Sequence, residues 1–272
     1  MTTTSHAGAR RPPDAPPAGR SARLTRPSGP RPRREERTTS VHRLCGLTVL
    51  AALVATPTGC ALTAPGTTLT EDRPVTGVTA VDLATGGDLT VSRGSRPGLT
   101  ITAGDGVLPR LTSDVHEGRL ELGVDGLVTR LGDVRYELVV PVLDAVTVSG
   151  SGTARVLEPT TDHLTVTVSG SGDVVVGQVA ADDLRVEISG SGAVRADGAT
   201  DRLEVRISGS GGYEGADLDA EDATVDVVGS GSAEVRATGT LMATVTGSGR
   251  IRHTGGAQVT RHVLGSGAVT QG

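Results

Sequence analysis

The sequence predicts an all-β fold, a parallel β-helix or closely related β-solenoid with coils of about 20 residues, over 75–272. A Gly-Ser-Gly turn recurs from Gly150, Gly170, Gly190, Gly209, Gly229, Gly247 and Gly265, at intervals of 20, 20, 19, 20, 18 and 18 residues. The segments between turns alternate apolar and polar residues. The chain also has no Trp, no Phe and only two Tyr, Tyr136 and Tyr213. Its interior must therefore be filled by Val, Leu, Ala and Ile, which suits a thin structure.

The alternation is in phase with the turns. Two residues before each turn stand Val148, Val168, Ile188, Ile207, Val227, Val245 and Val263. Four before stand Val146, Val166, Val186, Val205, Val225, Ala243 and Arg261. Six before, in the last six units, stand Leu164, Leu184, Leu203, Ala223, Leu241 and Val259. After the turn a shorter alternation places Ala154, Val174, Val194, Tyr213, Ala233, Ile251 and Val269 at the fourth position. Period two with β-branched residues is the signal of a strand with one buried face. No unit has enough apolar area to fold alone, so neighbours must stack, about 4.8 Å apart. Glycine, tolerant of positive φ, allows the sharp corner. An antiparallel sandwich is the alternative, but hairpin connections would not hold so constant a period.

In-register stacking would place Arg185 beside Glu204, and Arg206 between Glu187 and Asp226. Opposite charges across strands are favourable. Upstream, Val75–Val142 reads as the same architecture with less regular units. Ala84–Val91, Leu99–Thr102, Leu120–Leu122 and Tyr136–Val142 are strand candidates. Such units either cap the solenoid or form a small N-terminal β-subdomain.

Charge divides the chain. Residues 1–60 hold ten Arg against Asp14, Glu35 and Glu36, a net +7. The remainder carries 16 basic and 28 acidic residues, a net −12. An acidic domain argues against a nucleic-acid partner. Residues 1–40 are Pro/Arg-rich and expected to be disordered. From Val41, basic residues precede an apolar run ending in small residues, the layout of a secretory signal peptide over 41–60. So long a leader before it suggests that translation begins at Val41. The run is short for a membrane span. Cys45 falls within it and Cys60 ends it, so an internal disulfide in the mature chain is not expected. Residues 61–74, Thr/Pro-rich without apolar periodicity, read as a flexible tether.

Two resemblances add to this. Pro57-Thr58-Gly59-Cys60 resembles the lipobox of bacterial lipoproteins, with Pro57 where Leu is usual. It implies that Cys60 is lipidated and becomes the mature N-terminus, anchoring the chain at the outer face of the cell membrane. The segments LDAVTVSGSGTARV, HLTVTVSGSGDVVV, LRVEISGSGAVRA, LEVRISGSGGYEG and IRHTGGAQVTRHVLGSGAVTQ resemble the "Putative auto-transporter adhesin, head GIN domain" family. The resemblance spans about Val75 to Gly272. It implies a right-handed β-helix on a secreted or anchored protein, with adhesion as the analogy and no catalytic residues to carry over.

Catalytic and metal chemistry find little support. GSGD at Gly170–Asp173 faintly suggests a calcium β-roll, but most other turns lack the Asp and the period is about twice the nine residues required. No amphipathic helix follows a turn, as a phosphate loop needs. Glu187 and Asp226 would lie two rungs apart with Arg206 between, which reads as a solvated charge ladder rather than the paired carboxyls of a polysaccharide lyase or hydrolase. His163, His253 and His262 share no metal-ligand spacing. Ser151, Ser171, Ser191, Ser210, Ser230, Ser248 and Ser266 form a column without a recurring His or Asp partner, so they read as turn residues. The expectation is a non-enzymatic surface binding module without cofactor, directed at a glycan or protein. An envelope structural or stress-sensing component binding a partner in the same cell is the alternative.

Overall fold

The computed structural model describes residues 67–128 and 130–272. The expected leader, the export segment with Cys60, and the start of the tether lie outside the described residues. The strands are β1 (Thr68–Arg73), β2 (Ala80–Leu83), β3 (Asp88–Arg93), β4 (Gly98–Gly104), β5 (Leu111–His116) and β6 (Arg119–Val124). Then follow β7 (Arg135–Val140), β8 (Ala145–Val148), β9 (Thr153–Leu157), β10 (His163–Val168), β11 (Asp173–Gly190) and β12 (Ala193–Gly209). The last are β13 (Gly212–Gly229), β14 (Ser232–Gly247), β15 (Arg250–Thr254), β16 (Gln258–Gly265) and β17 (Ala268–Gln271). They form a β-solenoid of roughly six coils of about 20 residues.

The register is the one read from the glycines. Gly190 pairs with Gly209, Gly209 with Gly229, Gly229 with Gly247, and Gly247 with Gly265, all in parallel ladders. Val186, Val205, Val225 and Ala243 stack in one inward column, and Ile188, Ile207, Val227 and Val245 in the next. All eight are buried. Each buried aliphatic side chain contributes about 1.5–3 kcal/mol, so the interior carries the stability.

The corners require glycine for two reasons. Gly209 sits at φ +125°, and a Cβ there would meet the Gly190 carbonyl oxygen at 2.5 Å. Gly211 is not at positive φ, yet a Cβ there would meet the Gly192 oxygen at 2.6 Å. Close approach of successive coils, more than φ alone, excludes a side chain. The Ser210 and Ser230 amides donate to the Gly190 and Gly209 carbonyls, both at 2.9 Å, so each corner is stitched to the one before.

The less regular N-terminal part departs from a simple stack. β2 lies between β6 and β8, and β3 between β7 and β9, so the coil made by β6 and β7 is stacked out of chain order. Beyond it, β5 pairs antiparallel with β6, β4 antiparallel with β7, and β1 antiparallel with β4. These strands close that end of the stack, as expected of terminal units.

The tether expectation fails over β1. Its side chains are exposed apart from half-buried Arg73, so no apolar alternation marks the strand in the sequence. What holds it is its ladder with β4, a 3.0 Å bond between the Thr70 and Thr102 hydroxyls, a 2.7 Å bond from Thr100 to Asp72, and one of 2.8 Å from Arg73 to the Leu111 carbonyl.

Tyr213 occupies the inward column that also holds Tyr136, Leu89, Ala154, Val174, Val194, Ala233 and Ile251. Gly215 makes room for its ring, since a Cβ there would lie 2.5 Å from it. The buried Tyr213 hydroxyl has no hydrogen-bond partner among the described residues. Burial therefore pushes its pKa above the ordinary 10.0. Above pH 10 the unfolded chain loses this proton while the folded chain keeps it, so stability falls as pH rises through that window. Tyr213→Phe should stabilise the domain by roughly 1 kcal/mol at neutral pH, because an unpaired buried hydroxyl is removed. It should also flatten the alkaline fall in stability. Urea denaturation at pH 7 and above pH 10 checks both.

Candidate functional site

The surface most suited to recognition is the outer face of the sheet that precedes the glycine corners. In the stretches of β10–β14 that precede the corners the inward residues are apolar, so the residues between them must face solvent. Successive coils then set them in columns along the stack. Two adjoining grooves run over this face. The first has a volume of about 680 Å³ and is lined by residues that include His163, Arg185, Arg202, Glu204, Asp222 and Met242. The second, about 510 Å³, is bordered by Ser189, Arg206, Asp226, Val228 and Thr244 among others.

Ion pairs cross between coils. Asp183 accepts from His163 Nδ1 at 2.8 Å and from Arg202 Nε at 2.5 Å. The hydrogen bond from Arg202 is the main cause that holds the half-buried Asp183 carboxyl below the ordinary carboxylate range. Arg185 bonds Glu187 at 2.6 Å along its own strand and Glu204 at 2.9 Å on the next. The expected register is present: Arg185 faces Glu204, Glu187 faces Arg206, and Arg206 faces Asp226. The contacts differ in one respect. Arg206 turns to Glu204 at 2.8 Å rather than to Glu187, and reaches Asp226 at 3.9 Å. The long guanidinium side chains bridge along the strand as well as across it. These pairs lie at the surface, half-buried to exposed, and each contributes only about 0–1 kcal/mol, so they shape the surface more than they hold the fold.

The sequence-singled residues are dispersed. Glu187 and Asp226 are each held by an arginine and have the Arg206 rung between them. His163 lies in the first groove, whereas His253 is on β15 and His262 on β16. Among the described residues no group of three His, Cys, Asp or Glu is placed to hold a metal ion. The serine column is solvent-exposed, and no hydrogen bond joins its hydroxyls to a histidine among the described residues. Cys60 lies outside the described residues. The grooves themselves were not visible in the sequence, because concavity depends on how neighbouring coils bend together. Alternating polar residues signal only that the face is wet.

Comparison with known proteins agrees with this architecture. A crystal structure described as a putative adhesin from Bacteroides fragilis NCTC 9343 is 23% identical and superposes with a TM-score of 0.71, covering 76% of this chain and 97% of that one. A protein from Parabacteroides distasonis ATCC 8503 described as a putative lipid binding protein is 20% identical, with a TM-score of 0.62 over 76% of this chain and 97% of that one. A protein from Parabacteroides merdae ATCC 43184 described as a putative adhesin is 22% identical, with a TM-score of 0.61 and the same coverage of 76% and 97%. At these identities the likeness concerns the fold. No relative is found among curated proteins. The family model described as "Putative auto-transporter adhesin, head GIN domain" matches residues 78–257. That family points to a surface, adhesin-like role without catalysis. By this match and by its stacked glycine corners, the chain belongs to the auto-transporter adhesin head GIN domain family.

Proposed function

We propose that the chain is exported through 41–60, lipid-anchored at Cys60 on the outer face of the cell membrane, and binds a glycan or protein ligand on the grooved sheet face. The observation that carries the binding role is that face. Its adjoining grooves of about 680 and 510 Å³ are of a size suited to a ligand, and their lining combines charged and hydroxyl side chains with the exposed apolar Met242 and Val228. Apart from Asp222, whose carboxylate accepts from the Thr240 amide and hydroxyl, the charged groups there are paired with one another, which suits recognition by hydrogen bonding better than proton transfer. Both rings of the chain's tyrosines are buried, so a glycan would be held without stacking on an aromatic side chain.

The purified mature chain should bind a subset of an array of envelope glycans, matrix proteins and envelope proteins. Thr224→Trp, which fills the first groove, should abolish that binding while leaving the circular dichroism spectrum unchanged. No affinity across the array, or affinity indifferent to Thr224→Trp, would remove this reading. Anchoring is checked separately. Cys60→Ser should release the protein from the membrane fraction and abolish incorporation of a labelled fatty acid. A variant that stays membrane-bound and labelled would end the Cys60 assignment.

A further inference from the structure

The grooved face carries more carboxylates than guanidinium groups. Asp183, Glu187, Glu204, Asp222 and Asp226 line it together with Arg185, Arg202 and Arg206, so with His163 neutral two carboxylates are in excess. The arginines leave that excess on β13. Arg202 turns to Asp183 at 2.5 Å, although Asp222 is its ladder partner on the other side. Arg206 bonds Glu204 at 2.8 Å and stands 3.9 Å from Asp226. Among the described residues Asp222 enters no ion pair. Its Oδ1 accepts from the Thr240 amide and hydroxyl, which leaves Oδ2 without a donor there. The two carboxylates lie on the same side of one strand, four residues and about 13 Å apart, with half-buried Thr224 between them. The next coil adds no charge, since Thr240, Met242 and Thr244 take the corresponding places on β14. Met242, beside Thr224, is 49% exposed, and Val228, two residues past Asp226, is 52% exposed.

We infer that the grooved face takes an extended basic segment of a protein. Two of its Lys or Arg side chains, four residues apart, pair with Asp222 and Asp226, and an apolar side chain midway between them rests on Met242. This deepens the reading that the grooves bind a ligand, and rests on it. The spacing matches because both partners follow strand geometry: residues i, i+2 and i+4 of an extended chain share one side, about 6.6 Å apart. Charge complementarity selects against the other ligand class. An acidic glycan is repelled by the two carboxylates, and a neutral one leaves them unpaired. A basic glycan would bring charge but no apolar side chain for Met242 and Val228.

Fluorescence anisotropy of labelled peptides with the purified mature chain tests it. The probes are Thr-Lys-Thr-Leu-Thr-Lys-Thr, its isomer Thr-Lys-Leu-Thr-Lys-Thr-Thr with the lysines three apart, and the first sequence with Glu for Lys. The first should bind more tightly than its isomer, and the Glu form should not bind. Asp222→Asn and Asp226→Asn should each weaken the first peptide roughly fivefold, the upper end for an exposed ion pair. Asp217→Asn, which removes the same charge outside the grooves, should leave its affinity unchanged. Equal binding of the three peptides, or a double variant Asp222→Asn with Asp226→Asn that binds as wild type does, would overturn the inference. So would an acidic or neutral glycan from the array whose binding is lost in Thr224→Trp but kept in the double variant. That last result preserves the grooves as a binding site and removes only the basic segment, whereas silence of both array and peptides removes the two readings together.

Discussion

Gly209→Ala should destabilise the domain by about 4 kcal/mol in urea unfolding, near the middle of the combined range for backbone strain and overpacking. Alanine at φ +125° meets a region that side chains rarely enter, a strain of about 1–3 kcal/mol. Its Cβ would also press on the Gly190 carbonyl oxygen, 2.5 Å away, so the coils must part there. Overpacking of that kind costs roughly 1–3 kcal/mol more. Parting the coils would stretch the 2.9 Å bond from the Ser210 amide to the same oxygen. Gly212 supplies the control. It lies just past the same corner at ordinary φ, and a Cβ there would come no nearer than 3.8 Å to a neighbouring atom. Gly212→Ala should therefore be nearly neutral. Equal effects at the two positions would mean that the corners are not in close contact.

Val205→Asp should have a still larger effect, about 5 kcal/mol or loss of folding at neutral pH. Val205 is fully buried between Val186 and Val225, its partners in the coils on either side. Thr85 and Thr200 are the only polar residues counted as buried among those described, and no cation lies in the interior to pair with a carboxylate. An unpaired buried charge is costly enough that the carboxyl would hold its proton instead. Its folded-state pKa would then be raised above the unfolded value of about 3.9. The deficit should be smallest below that pH and grow as pH rises through the window between the two values. Equilibrium unfolding at pH 3.5 and pH 7 measures this slope. A variant as stable at pH 7 as at pH 3.5 would show that position 205 faces water.

Much of the solenoid could be read from the sequence because parallel in-register stacking forces equivalent positions to solve the same physical problem. Val186, Val205 and Val225 recur because each lies between buried aliphatic side chains of the coils on either side. Glycine recurs because one corner rests on the next. The charge columns were legible for the same reason, although the partner chosen by Arg206 was not. A guanidinium can reach along its strand or across it, and periodicity does not distinguish the two. Tyr213 shows the opposite limit. Its column marked it as inward, but the unpaired hydroxyl and the space provided by Gly215 appear only when the coils are assembled.

The sequence by itself determined the coil period, the inward columns and the glycine corners, since these follow from local chemistry repeated at constant spacing. Only the tertiary structure decided that β6 and β7 stack out of chain order, that exposed β1 is a strand, and that the outer sheet face is grooved. These depend on pairings between distant segments, whose backbone hydrogen bonds and curvature leave no periodic mark on the residues that make them.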